Sequence, residues 1–88
     1  MRRVEVAGVP VVLLKLRDKY YAIAATCSHA GGPLDEGELQ VQGTVVQCPW
    51  HGSRFRMSDG KVLTGPATFS QPRYDVQVRD GMIQLRQA

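Results

Sequence analysis

Hydrophobic and polar positions alternate with a period of two in short runs along the chain, and no stretch keeps the longer period of an amphipathic helix. Val4 and Val6 alternate with Arg3 and Glu5, Ala7-Gly8 offers a turn, and a β-branched apolar run at 9–14 follows, which predicts a hairpin. Pro10 inside that run predicts an edge position or a strand start, because proline has no N–H to give to a ladder. The segment 19–25 is strand-like through Tyr20 and Tyr21 and runs on towards Cys27. After a loop rich in glycine and proline at 29–37, segments 38–42 and 44–47 predict a second hairpin across Gln42-Gly43, with Cys48 at its end. A loop at 49–53, a short strand at 54–57, a turn at Asp59-Gly60 and a proline-bearing stretch at 65–72 come next. Segments 74–79 and 82–86 close the chain through Asp80-Gly81, the strongest hairpin signal present. Short strands with regular turns indicate an all-β fold, an antiparallel β sandwich or barrel. The span from about 27 to 69 reads as a ligand-carrying insertion between base strands at about 1–26 and 70–88.

With 88 residues the chain is a single domain. A core of this size is marginal, so an additional staple is expected. A hydrophobic fraction of 43% with 22% charged residues argues for a folded domain rather than disorder. The apolar run at 9–14 is far shorter than the roughly 20 residues a membrane span needs. No long apolar segment or cleavage site follows Arg2-Arg3, so the expectation is a cytoplasmic chain with no membrane insertion. The net charge of +3 comes from arginines dispersed along the chain, without the basic block that tracks phosphates, and nucleic acid is not an expected partner.

Cysteine and histidine change the picture. The chain holds two of each, all between positions 27 and 51, as Cys27-x-His29 and Cys48-x-x-His51. A disulfide would leave both neighbouring histidines unexplained. Thiolate and imidazole together suit iron, zinc and copper. Structural zinc sites usually draw same-type pairs, two cysteines from a knuckle and two histidines from a helix, and no helix is predicted here. A mixed pair on each of two loops fits a two-iron unit better, with a zinc-stabilised binding module as the rival from another class.

The segments Cys27-Ser28-His29-Ala30-Gly31-Gly32-Pro33-Leu34 and Cys48-Pro49-Trp50-His51-Gly52-Ser53-Arg54-Phe55 resemble the two cluster-binding boxes of the Rieske [2Fe-2S] family. The resemblance implies a Rieske-type β fold with an inserted cluster-binding subdomain and one [2Fe-2S] cluster. It places Cys27 and Cys48 on the inner iron and His29 and His51 on the outer, solvent-facing one. Gly65-Pro66-Ala67 resembles the family's proline loop that shields the cluster. High-potential respiratory members carry a disulfide between the loops and serine and tyrosine hydroxyls donated to the cluster. Here no further cysteine exists; Ser53 matches the serine, and Phe55 stands where the tyrosine would be. Fewer donors imply a potential in the lower half of the family's range of about −150 to +300 mV.

By the same resemblance the function is one-electron transfer, ferredoxin-like, from a reductase to an oxygenase, with partners docking near His29, His51 and Trp50. The chain starts almost inside its first hairpin, without the leading strand of stand-alone members. The alternative is therefore an electron-entry domain or small subunit of a larger oxidoreductase, nitrite-reductase-type or membrane-tethered. No nucleophile with a base to spare and no carboxylate pair in a motif suggests an enzyme. Trp50 reads as an exposed lid, forming an apolar rim with Pro33, Leu34 and Pro66. Tyr20, Tyr21, Phe55, Phe69 and Tyr74 read as packing residues, and Arg54 and Arg56 as either a solvated strand face or a contact for an acidic partner.

Overall fold

A computed structural model describes residues 1–28 and 31–87. In chain order the strands are β1 (Arg2–Val6), β2 (Val9–Leu16), β3 (Lys19–Ala24), β4 (Glu38–Gln40), β5 (Val45–Gln47), β6 (Arg54–Arg56), β7 (Val62–Thr64), β8 (Arg73–Arg79) and β9 (Met82–Gln87), with one 3₁₀ turn at Leu34–Glu36. They form two antiparallel sheets. The larger has the order β1-β2-β3-β8-β9 and the smaller β4-β5-β6-β7.

The two long hairpins follow from their turn residues. Ala7 and Gly8 have φ of 50° and 82°, and Asp80 and Gly81 have 53° and 75°, the paired left-handed conformations whose twist matches that of the flanking strands. The register then runs from Val6↔Val9 to Arg2↔Leu13 and from Arg79↔Met82 to Tyr74↔Gln87.

The apolar run in β2 is continuous because this inner strand is covered on both faces. Val12 and Leu14 pack with Ile23, Val46, Phe55 and Met57, in a core that also holds Cys27, Leu34 and Cys48. Val11 and Leu13 face the other way, against Ala22, Ala24 and Tyr74. Phe55 is fully buried in the first core, and burial of such a side chain stabilises by about 1.5–3 kcal/mol. Both cysteines, Cys27 and Cys48, are themselves members of that core.

One local expectation is narrowed and two are corrected. Of the two places expected for Pro10 the structure has the strand start and not the edge: it is the second residue of the inner strand β2 and lies opposite Glu5; its carbonyl accepts the Ala25 N–H, while the Ala25 carbonyl accepts from the Leu34 N–H. The expected register of the β4–β5 hairpin holds, yet its connection spans four residues, 41–44, because Val41, Gln42 and Gly43 all adopt positive φ and the Thr44 carbonyl is taken by the Met57 N–H. Strand β7 was not expected at all. It has three residues, without room for an alternation pattern, and it exists by pairing with β6 across an irregular register at Arg54 and Phe55.

Candidate metal centre

Two loops at one end of the molecule carry the cysteines, and they share one backbone frame. In the first, the Cys27 N–H donates to Gly32 O (2.8 Å) and the Gly31 N–H to Cys27 O (2.9 Å). In the second, the Cys48 N–H donates to Ser53 O (2.7 Å) and the Gly52 N–H to Cys48 O (3.2 Å). Each loop is thus closed from its first to its sixth residue, and the fifth is a glycine with φ near +80°, Gly31 at 78° and Gly52 at 80°. A Cβ there would strain the turn, which explains the glycine in each box. Histidine falls at the third position of one frame and the fourth of the other.

Cys27 and Cys48 are buried, at 4% and 3% exposure, and no disulfide joins them. His51 is exposed. His29, the remaining candidate ligand, lies outside the described residues. Among the described residues no group of three metal-ligating side chains converges on one point.

The loops approach one another at Gly32. A Cβ built on it would lie 2.6 Å from Cys48 Sγ and 3.1 and 3.2 Å from the Trp50 ring. This is a cradle that only glycine permits, and it faces a buried thiol. Two buried thiols and an imidazole at the surface form a donor set that suits an iron–sulfur unit, sulfur inside and nitrogen outside.

A third segment, 65–72, fastens both loops. The Ala67 N–H donates to Ser53 Oγ (3.0 Å) and Ser28 Oγ donates to Phe69 O (2.6 Å). The Ser28 N–H donates to Gln71 Oε1 (2.7 Å), while Gln71 Nε2 donates to Ala24 O and Thr26 O (2.7 Å each). Gln71 is 2% exposed. Neither its burial nor the side-chain role of Ser28 is visible in the sequence pattern, since their partners are more than 40 residues away. The one local signal is a polar residue set before Pro72 at the mouth of a strand.

The rim also differs from expectation. Trp50 is 57% exposed, as anticipated for a lid, but Leu34 is fully buried beneath the loops and does not join it. Phe69, expected in the packing, is 73% exposed. The carbonyl that ties it to Ser28 leaves its ring turned to solvent. Pro49, next to Trp50 in the sequence, and Pro66 are also exposed. Arg54 donates to Gln40 Oε1, and Arg56 is bound by Asp59 through contacts of 3.0 and 2.6 Å. The hydrogen bond from Arg56 holds the Asp59 carboxyl down at about 2.

An antiparallel two-sheet domain with two matched Cys/His loops at one end defines a class of metal-binding β protein, and comparison with known proteins specifies it. Residues 1–75 match the model of the Rieske [2Fe-2S] domain. Ferredoxin CarAc of Metapseudomonas resinovorans is 33% identical over 84 residues, which cover 94% of this chain and 77% of the relative. The ferredoxin of carbazole 1,9a-dioxygenase from Nocardioides aromaticivorans IC177 matches with a TM-score of 0.91 at 30% identity, over 99% of this chain and 84% of its own. A structure of the complex of reduced oxygenase and oxidized ferredoxin in carbazole 1,9a-dioxygenase contains a chain matched with a TM-score of 0.84 at 33% identity, over 96% of this chain and 85% of its own.

The chain belongs to the Rieske [2Fe-2S] family. Within that family it is similar to the ferredoxin components of dioxygenase systems, which carry electrons. Among the described residues no helix is long and apolar enough to cross a membrane.

Proposed function

We propose that Cys27, His29, Cys48 and His51 hold one [2Fe-2S] cluster, with the thiolates on the inner iron and the imidazoles on the outer, and that the chain passes single electrons from a reductase to a terminal oxygenase. The observation that carries this reading is the pair of matched loop frames, which set two buried thiols under an exposed imidazole around the Gly32 cradle. When bound, the cluster supplies a centre that takes up and gives up one electron.

The chain's own residues do the rest. The apolar core under Cys27 and Cys48 keeps water from the inner side of the site. Ser53 Oγ accepts the Ala67 N–H, which leaves the hydroxyl proton to be donated to a second acceptor, and a sulfide is the acceptor expected there. His51 reaches the surface and gives the electron a short way out. Trp50, Pro49, Pro66 and Phe69 offer an apolar rim on which an oxygenase or reductase docks, and the complex formed by a structural relative supports an oxygenase as one partner.

The test is metal and sulfide analysis of anaerobically purified protein together with its EPR spectrum. Equal amounts of iron and acid-labile sulfide, with a Rieske-type signal on reduction, are expected. A colourless protein holding one zinc ion and no sulfide overturns the reading in favour of a zinc-stabilised module.

A further inference from the structure

The pairing of β3 with β8 runs Ala22↔Tyr74 and Ile23↔Arg73, and the next pair in that register sets Ala24 opposite Pro72. The Ala24 N–H donates to Pro72 O (2.8 Å). The return bond to Ala24 O cannot form, because proline has no N–H. Gln71 Nε2 supplies the missing donor to Ala24 O and continues to Thr26 O, the next carbonyl on that edge. With its NH₂ committed to two carbonyls, the amide must turn its oxygen to the Ser28 N–H, which it accepts. The Gln71 backbone is itself held, through its N–H to Gly60 O (2.8 Å).

We propose that Gln71 is a positioning residue for electron transfer: its side chain extends the β3–β8 ladder past Pro72 to the Ser28 amide and so fixes the first ligand loop relative to the base sheet. The inference rests on the cluster assignment made above. The Ser28 N–H belongs to the peptide that joins Cys27 to Ser28, so the tie to Gln71 holds the backbone from which the Cys27 thiol leaves the chain. Groups that orient ligands tune a metal centre without touching the metal. No disulfide ties the two loops, and the described tie runs through segment 67–71 by way of Ser28 and Ser53.

The experiment compares cluster-loaded wild type with Gln71→Leu, with the double variant Gln71→Leu/Pro72→Ala, and with Val11→Ala. The double variant restores an N–H opposite Ala24 O but not the Ser28 tie. Val11→Ala trims a side chain of the core on the other face of the base sheet, opposite Ala24, and leaves every bond made by the Gln71 side chain in place. Iron release to a chelator, the EPR spectrum of the reduced protein and the reduction potential are read for each, with thermal unfolding as the measure of fold stability.

Gln71→Leu is expected to release iron about tenfold faster or more, as befits the joint loss of three hydrogen bonds, one buried and two part-buried, and to shift both spectrum and potential. The double variant is expected to recover thermal stability without recovering retention or spectrum, and Val11→Ala to lower stability alone. If Gln71→Leu fails to fold, Gln71→Asn, which withdraws the amide by one methylene, takes its place. Wild-type spectrum, potential and iron release in the single variant overturn the proposal. So does full recovery in the double variant, which would reduce Gln71 to ladder repair. A wild type without iron and sulfide removes the cluster assignment before any variant is compared, so the two failures are distinguishable.

Discussion

Gly32 has no room for a methyl group. Gly32→Ala would drive a carbon to within 2.6 Å of Cys48 Sγ and against the Trp50 ring, both held by their loop. Overpacking of this kind costs about 1–3 kcal/mol, and here it would separate the two loops, so the iron content of the purified variant should fall well below that of wild type. Phe55 gives the opposite test. It is fully buried and brings no hydroxyl where the family resemblance places a tyrosine. Phe55→Tyr should raise the reduction potential in film voltammetry with little change in iron content. Asp59 gives a third. Its carboxyl, held at about 2 by Arg56 against an ordinary 3.8, stays ionised in the folded state where the unfolded chain takes up a proton. Its stabilising contribution is therefore complete above about pH 4 and fades as the pH falls to about 2. Asp59→Asn should be slightly less stable than wild type at neutral pH and converge with it across that window, as followed by acid titration of the unfolding midpoint. At this scale the pattern Cys27-x-His29 and Cys48-x-x-His51 stood out because donor chemistry and short spacing are written locally, and its reading as a ligand set is the proposal made above. Gln71 did not stand out, because its meaning lies in partners 43 to 47 residues distant. Leu34 and Phe69 exchanged the places expected of them, since apolarity alone does not say which side of a loop faces water.

Among elements, the two long hairpins were readable because Ala7-Gly8 and Asp80-Gly81 dictate backbone conformation by themselves. The small sheet was harder. Its strands have three residues each and take their pairing from neighbours, so β7 left no alternation to detect and the β4–β5 connection widened to four residues. Such short strands have little stability of their own. The loops and the small sheet should therefore depend on the metal more than the base does, because a metal centre linking two loops adds folding free energy. Removal of iron by chelation should raise amide hydrogen exchange at 27–34, 48–53 and 65–72 well above that in β1–β3, the longer strands of the base sheet. Equal loss of protection throughout would show that the base and the loops unfold as one unit.

At the scale of the whole molecule, the all-β class was legible from period-two patterning and regular turns. The division of labour between the two sheets is also visible in three dimensions: β1, β2, β3, β8 and β9 form a base, and the ligand loops stand at one end of it. Trp50 and Phe69 expose large aromatic surfaces at that end. Truncating an aromatic anchor at the heart of an interface commonly costs 2 kcal/mol or more, about thirtyfold in affinity. Trp50→Ala and Phe69→Ala should therefore weaken electron delivery to an oxygenase, measured as the concentration of carrier giving half-maximal turnover, while leaving the reduction potential unchanged. A net charge of +3 should make the encounter only modestly dependent on salt.

The hairpin that joins β8 to β9 runs from Arg73, beside the ligand loops, to a tip some seven residues on, about 20 Å away at the rise of a strand. Its apex, Asp80-Gly81, has open space around Gly81. Lengthening an exposed loop costs little. A short peptide handle spliced between 80 and 81 would thus anchor the protein to a bead or an electrode by its heel, leaving the redox tip outward, and every molecule on that surface would present the same face to an arriving partner.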